Sequence, residues 1–197
     1  MSTSLENLRF DTERLTVSDW HHAGERQSAG QRQSADEDRL DLARSVAQLM
    51  TPRTTQALPE SWRGDYSLDR AERWIAERDA ESPTFLVTGR QTAEALGLLI
   101  VFFDPSGAEE TGIEGHGGGD LRIGYLLSER VWGQGLASEL VAGLVRWTTA
   151  DPGIATLTAG VEASNDASRQ VLLKNGFQRF GAECEGELTY RLAVNRG

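Results

Sequence analysis

Apolar and polar residues alternate through LRFDTERLTVSDW, residues 8–20, which predicts a first strand with Leu15 and Val17 on one face. The next stretch, GERQSAGQRQSADED at 24–38, is polar and rich in Gln, Ser and charge, the pattern of a mobile loop or frayed helix start. In LDLARSVAQLM the apolar residues Leu42, Val46 and Leu49 fall at helical spacing, and two prolines in TPRTTQALPESWRG, 51–64, end that helix. Ser67 then offers an N-cap to a second helix over SLDRAERWIAERDAE. PTFLVTGRQ and EALGLLIVFF, two strand-like runs joined by a short polar turn, predict an antiparallel hairpin. A long Gly-rich, acidic loop follows at 104–120, DPSGAEETGIEGHGGGD, and loops of that length are functional or disordered.

Regular patterning resumes with DLRIGYLLSE as a strand, GLASELVAGLVRWTTA as a helix, ATLTAGVEA as a strand and NDASRQVLLKN as a short helix. Gly176 supplies a left-handed stop, and FQRFG and ELTYRLAV make the last strands. The order predicts an α/β (α+β) fold: one domain over 1–197, with a central, mixed, mostly antiparallel twisted sheet and helices on both faces.

Composition narrows the function. The chain has 197 residues, 39% of them hydrophobic, enough for one packed core and with no apolar run of membrane-spanning length. The N-terminal MSTSLENLRFDTERL lacks the features of a secretory or transit peptide, so the expected location is cytoplasmic. A formal charge of −10 argues against general nucleic-acid binding, which needs a basic footprint, although it would suit a cationic acceptor. The single cysteine, Cys184, excludes an intrachain disulfide and any multi-cysteine metal site; the expectation is a small, partly buried thiol and no metal. His21 and His22 have no metal spacing and read as surface residues.

The chemistry centres on ERVWGQGLASEL, where Gly133 and Gly135 precede a helix whose apolar face is Leu136, Leu140, Val141, Leu144 and Val145. Bare backbone at a helix N-terminus invites an anion, because unpaired N–H groups and the positive end of the helix dipole converge there. A Walker loop would need Lys and Ser or Thr after the second glycine, and neither is present. A dinucleotide fingerprint would want Gly or Ala at Ser138, although Glu162 sits in range of its acidic residue. A turn that serves packing alone is the remaining alternative for the two glycines. HGGGD at 116–120 has the look of a lipase oxyanion loop, but the chain contains no Gly-x-Ser-x-Gly elbow.

Taken whole, DLRIGYLLSERVWGQGLASELV and VEASNDASRQVLLKNGFQRFG resemble the GNAT superfamily of acyl-CoA-dependent N-acetyltransferases, and more narrowly its ribosomal-protein N-terminal acetyltransferase branch. The coenzyme motif is carried by Arg130, Gly133, Gly135 and Ala137, and the branch's second motif by Asn165, Ser168, Leu173, Lys174, Gly176 and Phe177. TERLTV at 12–17 resembles the branch's opening strand, whereas residues 20–80 and the 104–120 loop match poorly.

The resemblance implies acetyl-CoA as co-substrate, its pyrophosphate on the turn formed by Arg130, Val131, Trp132, Gly133, Gln134, Gly135, Leu136 and Ala137, with Asn165 and Ser168 also at the coenzyme. It implies that an amide near Leu126 or Leu127 polarises the thioester carbonyl. Ser168 is the expected proton donor to the departing thiolate, or a helix-start hydroxyl bonded to backbone. Glu114, His116 and Asp120 are the candidate bases, unless water carries the proton. Trp62 and Tyr66, with Trp74, would line the acceptor channel or pack in the core. An α-amine titrates near ~8 and a lysine near ~10.4, so a site without an evident base favours α-amines. The implied acceptor is a protein or peptide N-terminus or a small amine, the implied assembly a monomer or homodimer, and the alternative in another class a non-catalytic acyl-CoA-binding module.

Overall fold

The computed structural model describes Leu5 and residues 8–21, 34–107 and 118–194. Glu114, His116, His22 and positions 24–33 of the expected loop lie outside the described residues. Among the described residues, four α-helices and eight strands form an α/β fold, its mixed, mostly antiparallel sheet running in the hydrogen-bonded order β1-β2-β3-β4-β5-β6-β8-β7. The chain divides into two compact units: Glu6–Ile100 with Tyr125–Gln134, and Val101–Gly124 with Gly135–Gly197 and Met1–Leu5.

The N-terminal unit opens with β1 (Phe10–Asp11) and β2 (Leu15–Asp19), antiparallel to each other. One strand was expected over 8–20. Thr12 breaks it, because its hydroxyl accepts from the Leu15 amide at 2.9 Å and its own amide donates to the Leu15 carbonyl at 2.8 Å, closing a tight turn. Leu15 and Val17 are fully buried on one face, as the alternation requires. Helix α1 (Ala35–Leu49) starts inside the expected loop: Ser34 and Glu37 form a reciprocal capping box that nucleates the polar segment ADED. Helix α2 (Leu68–Glu81) is capped by Ser67, as its sequence predicts. β3 (Thr84–Gly89) and β4 (Ala95–Asp104) make the expected hairpin. Leu42, Ala43, Val46 and Leu49 of α1 pack with Ala71, Trp74 and Ile75 of α2 on Leu86, Leu98 and Leu126.

β5 (Gly119–Leu127) belongs to the C-terminal unit as far as Gly124, and there it runs parallel to β6 (Ile154–Glu162), with α3 (Leu136–Thr149) between them along the chain. Helix α4 (Asp166–Lys174) precedes β7 (Gln178–Cys184) and β8 (Glu187–Ala193), which pair antiparallel, with β8 on β6. The register puts Leu157, Ala159 and Val161 opposite Leu192, Tyr190 and Leu188, one apolar face. Helix α4 covers that face: Arg169 Nε donates to the Tyr190 hydroxyl at 3.3 Å, and Gly176 lies over Leu192. Asn175 Nδ2 reaches Ser138 Oγ at 3.2 Å, joining α4 to the first turn of α3. Ser138, the residue that spoils a dinucleotide fingerprint, thus ties two helices together. Cys184 differs from expectation: it is exposed, because β7 is an edge strand with every residue open to solvent.

Candidate active site

The turn that ends β5 is built by the N-terminal unit. After Ser128 a single 3-10 turn, Glu129–Val131, redirects the chain, and Trp132 Nε1 donates back to the Leu127 carbonyl at 2.8 Å. Gly133 has φ +73° and Gly135 φ +78°, left-handed conformations that cost an L-residue with a Cβ about 1–2 kcal/mol. This is the conformational reason for two glycines one residue apart.

Polar contacts brace the turn from outside. Arg130 pairs with Glu94 and donates to the Ala95 carbonyl at 2.7 Å, so its guanidinium clamps β4. Glu129 accepts from Thr51 Oγ1 at 2.7 Å and pairs with Arg53 at 2.9 Å, while the Arg53 guanidinium lies 5.3 Å from the centre of the Trp132 ring. Arg14 NH1 donates to the Gln134 carbonyl at 3.0 Å. Sequence reasoning missed Thr51, Arg53, Glu94 and Glu129, which are far from the motif in sequence or carry no periodic signal; Arg14 lay in TERLTV, noted only as a strand. Arg53 and Arg130 are each paired with a glutamate, and Arg14 holds the Gln134 carbonyl, so these groups brace the turn.

Helix α3 begins at Gly135 with no side-chain cap. The first internal bond joins the Glu139 amide to the Gly135 carbonyl, and the amides of Leu136, Ala137 and Ser138 have no acceptor among the described residues. Helix starts normally satisfy such donors with Ser, Thr, Asp or Asn. A bare start with exposed glycines suits a phosphate group, whose oxygens would accept these N–H groups at the positive end of the helix dipole.

In the C-terminal unit the Asn165 side chain accepts the Ser168 amide at 3.1 Å and so caps α4, one of the two roles open to it. The Ser168 hydroxyl is partly exposed and has no hydrogen-bond partner among the described residues, leaving its proton available for transfer. Asp120 is 2% exposed, and its Oδ1 accepts from Thr156 Oγ1 at 2.5 Å and Thr158 Oγ1 at 2.7 Å. Arg122 Nε stands 3.7 Å from Asp120 Oδ2, and Arg122 NH2 3.6 Å from Asp104. The carboxylate is therefore held rigid on one oxygen, with the other facing a cation.

Trp62, Tyr66 and Trp74 meet in the N-terminal unit. Trp62 and Tyr66 stand edge-on to Trp74, with ring centres 5.4 and 6.3 Å away, and the Tyr66 hydroxyl donates to the Trp62 carbonyl at 3.1 Å. Burial pushes the Tyr66 phenol above its usual range, with Arg70 nearby pulling it back. Arg78, 6% exposed, lies 4.5 Å from the centre of the Trp62 ring. Tyr66 and Trp74 belong to the core of this unit, and Trp62 packs at its margin. No group of three or more His, Cys, Asp or Glu side chains suited to a metal occurs among the described residues, and no helix there is long and apolar enough to cross a membrane.

Residues 32–178 match the family model of the acetyltransferase (GNAT) domain. The chain belongs to the GNAT family of acetyl-CoA-dependent N-acetyltransferases. By sequence it is similar to the uncharacterized N-acetyltransferase YoaA of Bacillus subtilis strain 168, 37% identical over 59 residues, 30% of this chain and 33% of that protein. The matched segment thus spans about a third of that relative. Its fold is similar to that of a GNAT-family acetyltransferase from Bacillus anthracis, with TM-score 0.67, 14% identity and coverage of 95% and 99% of the two chains. It is also similar to RimL, a ribosomal L7/L12 alpha-N-protein acetyltransferase whose structure contains coenzyme A, with TM-score 0.66, 17% identity and coverage of 96% and 100%.

Proposed function

We propose that this chain transfers the acetyl group of acetyl-CoA to a primary amine by direct attack, with a protein or peptide N-terminus as the favoured acceptor. The observation that carries the reading is the uncapped start of α3 behind two left-handed glycines, inside a matched GNAT domain. Residues 130–137 hold the pyrophosphate through backbone amides. An amide at Leu126 or Leu127 polarises the thioester carbonyl, drawing charge onto its oxygen as the amine nitrogen attacks. The new C–N bond forms as the C–S bond breaks; the Ser168 hydroxyl gives its proton to the departing sulfur and regains one from solvent. Of the three candidate bases, Asp120 is the described one, and we assign it the amine's proton through a water molecule at Oδ2, the oxygen that no threonine holds.

An α-amine needs little help to lose its proton, which fits a single shielded carboxylate and supports the N-terminal acceptor. Trp62, at the edge of its aromatic cluster, is the acceptor-channel residue we retain, with Tyr66 as its support. The two units act as one acyl-CoA N-acyltransferase domain over 1–197. A cytoplasmic enzyme that engages neither nucleic acid nor membrane, as monomer or homodimer, fits the acidic composition. Calorimetric titration with acetyl-CoA, with CoA and NADH for comparison, tests the coenzyme assignment. Release of CoA in the presence of free-N-terminal hexapeptides beginning with Ser, Ala or Met, and of spermidine, tests the acceptor. The expected result is binding of acetyl-CoA and CoA but not NADH, and turnover with a peptide; absence of acetyl-CoA binding refutes the reading.

A further inference from the structure

Ser168 stands in the first turn of α4, and its hydroxyl has no hydrogen-bond partner among the described residues. Its position is therefore set by the helix that carries it. That helix is a poor mount by itself. Its nine residues fall short of the roughly 12–15 that an isolated helix needs to hold its shape in water. Its one buried residue, Leu172, lies in the second turn, and Asn175 reaches Ser138 from the far end. Asp166, Ala167 and Gln170 are exposed and Ser168 is half-buried, so the first turn has no apolar anchor of its own.

The guanidinium of the next residue does what packing does not. Arg169 NH1 donates to the Asp166 carboxylate at 2.6 Å, inside the turn, and to the Ala163 carbonyl at 3.2 Å, in the link that leaves β6. Arg169 Nε donates to the Tyr190 hydroxyl at 3.3 Å. Tyr190 is 3% exposed and faces Ala159 across the β6–β8 ladder, so it is a fixed point of the sheet. The link is fixed as well, because the Ala163 amide donates to the Gly186 carbonyl at 2.8 Å, between β7 and β8. One planar, permanently charged fork thus joins the link, the first helical turn and the sheet. As a stabiliser it adds little: the Asp166 side chain is 85% exposed, and exposed ion pairs are weak. Its effect is on placement.

We propose that Arg169 is a positioning residue for acetyl transfer: by tying the first turn of α4 to Ala163 and Tyr190, it fixes where the Ser168 hydroxyl stands. The inference rests on the proton-donor role assigned to Ser168 and deepens it. Arg169→Met removes the fork and keeps the apolar stem, whereas Arg169→Lys keeps the charge and one point of donation. Each is made alone and together with Ser168→Ala, and read by thermal unfolding, acetyl-CoA titration and steady-state kinetics on the best hexapeptide of the panel. Expected for Met are a folded protein, acetyl-CoA affinity within about threefold and a kcat at least about tenfold lower, with part of that loss recovered by Lys. In the Ser168→Ala background the same substitution should cost less than about twofold, since the hydroxyl it places is gone. A natural kcat in the Met variant overturns the inference and leaves the acetyltransferase reading intact. An equal loss in both backgrounds also overturns it, because that is the mark of a structural role alone. So does a loss of acetyl-CoA affinity beyond threefold, which would assign Arg169 to the coenzyme. If Met impairs folding, Tyr190→Phe, which removes only the bond to Arg169 Nε, is carried through the same cycle and decides by the same readouts. A natural rate in Ser168→Ala itself, or a natural protein that acetylates no member of the panel, refutes the reading beneath the inference and the inference with it.

Discussion

Replacing Gly135 by Asp separates what the turn does for the fold from what it does for the coenzyme. At φ +78° any side chain is disfavoured, by about 1–2 kcal/mol for most residues, but Asp and Asn tolerate this region best. A carboxylate at the uncapped start of α3 recovers roughly 0.3–1 kcal/mol from the helix dipole. The net loss of stability is therefore about 1 kcal/mol or less, within reach of urea unfolding. Coenzyme binding suffers differently. A carboxylate about 5 Å from a pyrophosphate charge is repelled by roughly 1 kcal/mol in water and about 3 kcal/mol at an effective dielectric of 20, on the order of five- to 200-fold in Kd. Titration with acetyl-CoA at two salt concentrations reads this directly, because the screened part of the penalty shrinks at high salt. A folded Gly135→Asp protein with the natural affinity for acetyl-CoA would refute the placement of the pyrophosphate on these amides.

Ser168→Ala removes the unpaired hydroxyl while its amide stays on Asn165, so turnover should fall on the order of a hundredfold with acetyl-CoA affinity nearly unchanged; an unaltered rate returns the residue to a structural role. Asp120→Asn keeps the shape and both threonine bonds, so it should fold normally, bind acetyl-CoA and turn over slowly, and a natural rate removes Asp120 as proton acceptor. Glu129→Ala breaks the contacts to Thr51 and Arg53 and should weaken acetyl-CoA binding severalfold through a looser turn, which the same titration checks. Gly97→Ala pushes its Cβ into the Leu126 carbonyl and the Leu127 side chain, so unfolding should show a loss of about 1–3 kcal/mol, and a neutral result would mean that β5 yields freely.

Much of this was legible along the chain because it is local. The helix faces, the Ser67 cap, the β3–β4 hairpin and the glycine turn each rest on residues within a few positions of one another, where periodicity and backbone preference act directly. The misreadings were also local in origin. A Thr12 side chain that bonds its neighbouring backbone split the first strand, and of the two readings of the polar 24–38 stretch, loop or helix start, a capping box selects the helix start from Ala35 on, because single hydrogen bonds outweigh the average character of a stretch. Cys184 was misplaced because a side chain's burial depends on whether its strand lies at the sheet edge, which no local pattern records.

What the amino-acid sequence determined by itself, then, is most of the elements and the bare glycine turn ahead of α3, since backbone dihedrals and helix starts are governed by near neighbours. What only the tertiary structure decided is the company that distant residues keep: Arg130 on Glu94, Glu129 under Thr51 and Arg53, and Asp120 between two threonines of β6. Those contacts join positions up to 78 residues apart, and strand register sets several of them. Register arises from the packing of whole faces, so it belongs to the folded sheet and to no single segment.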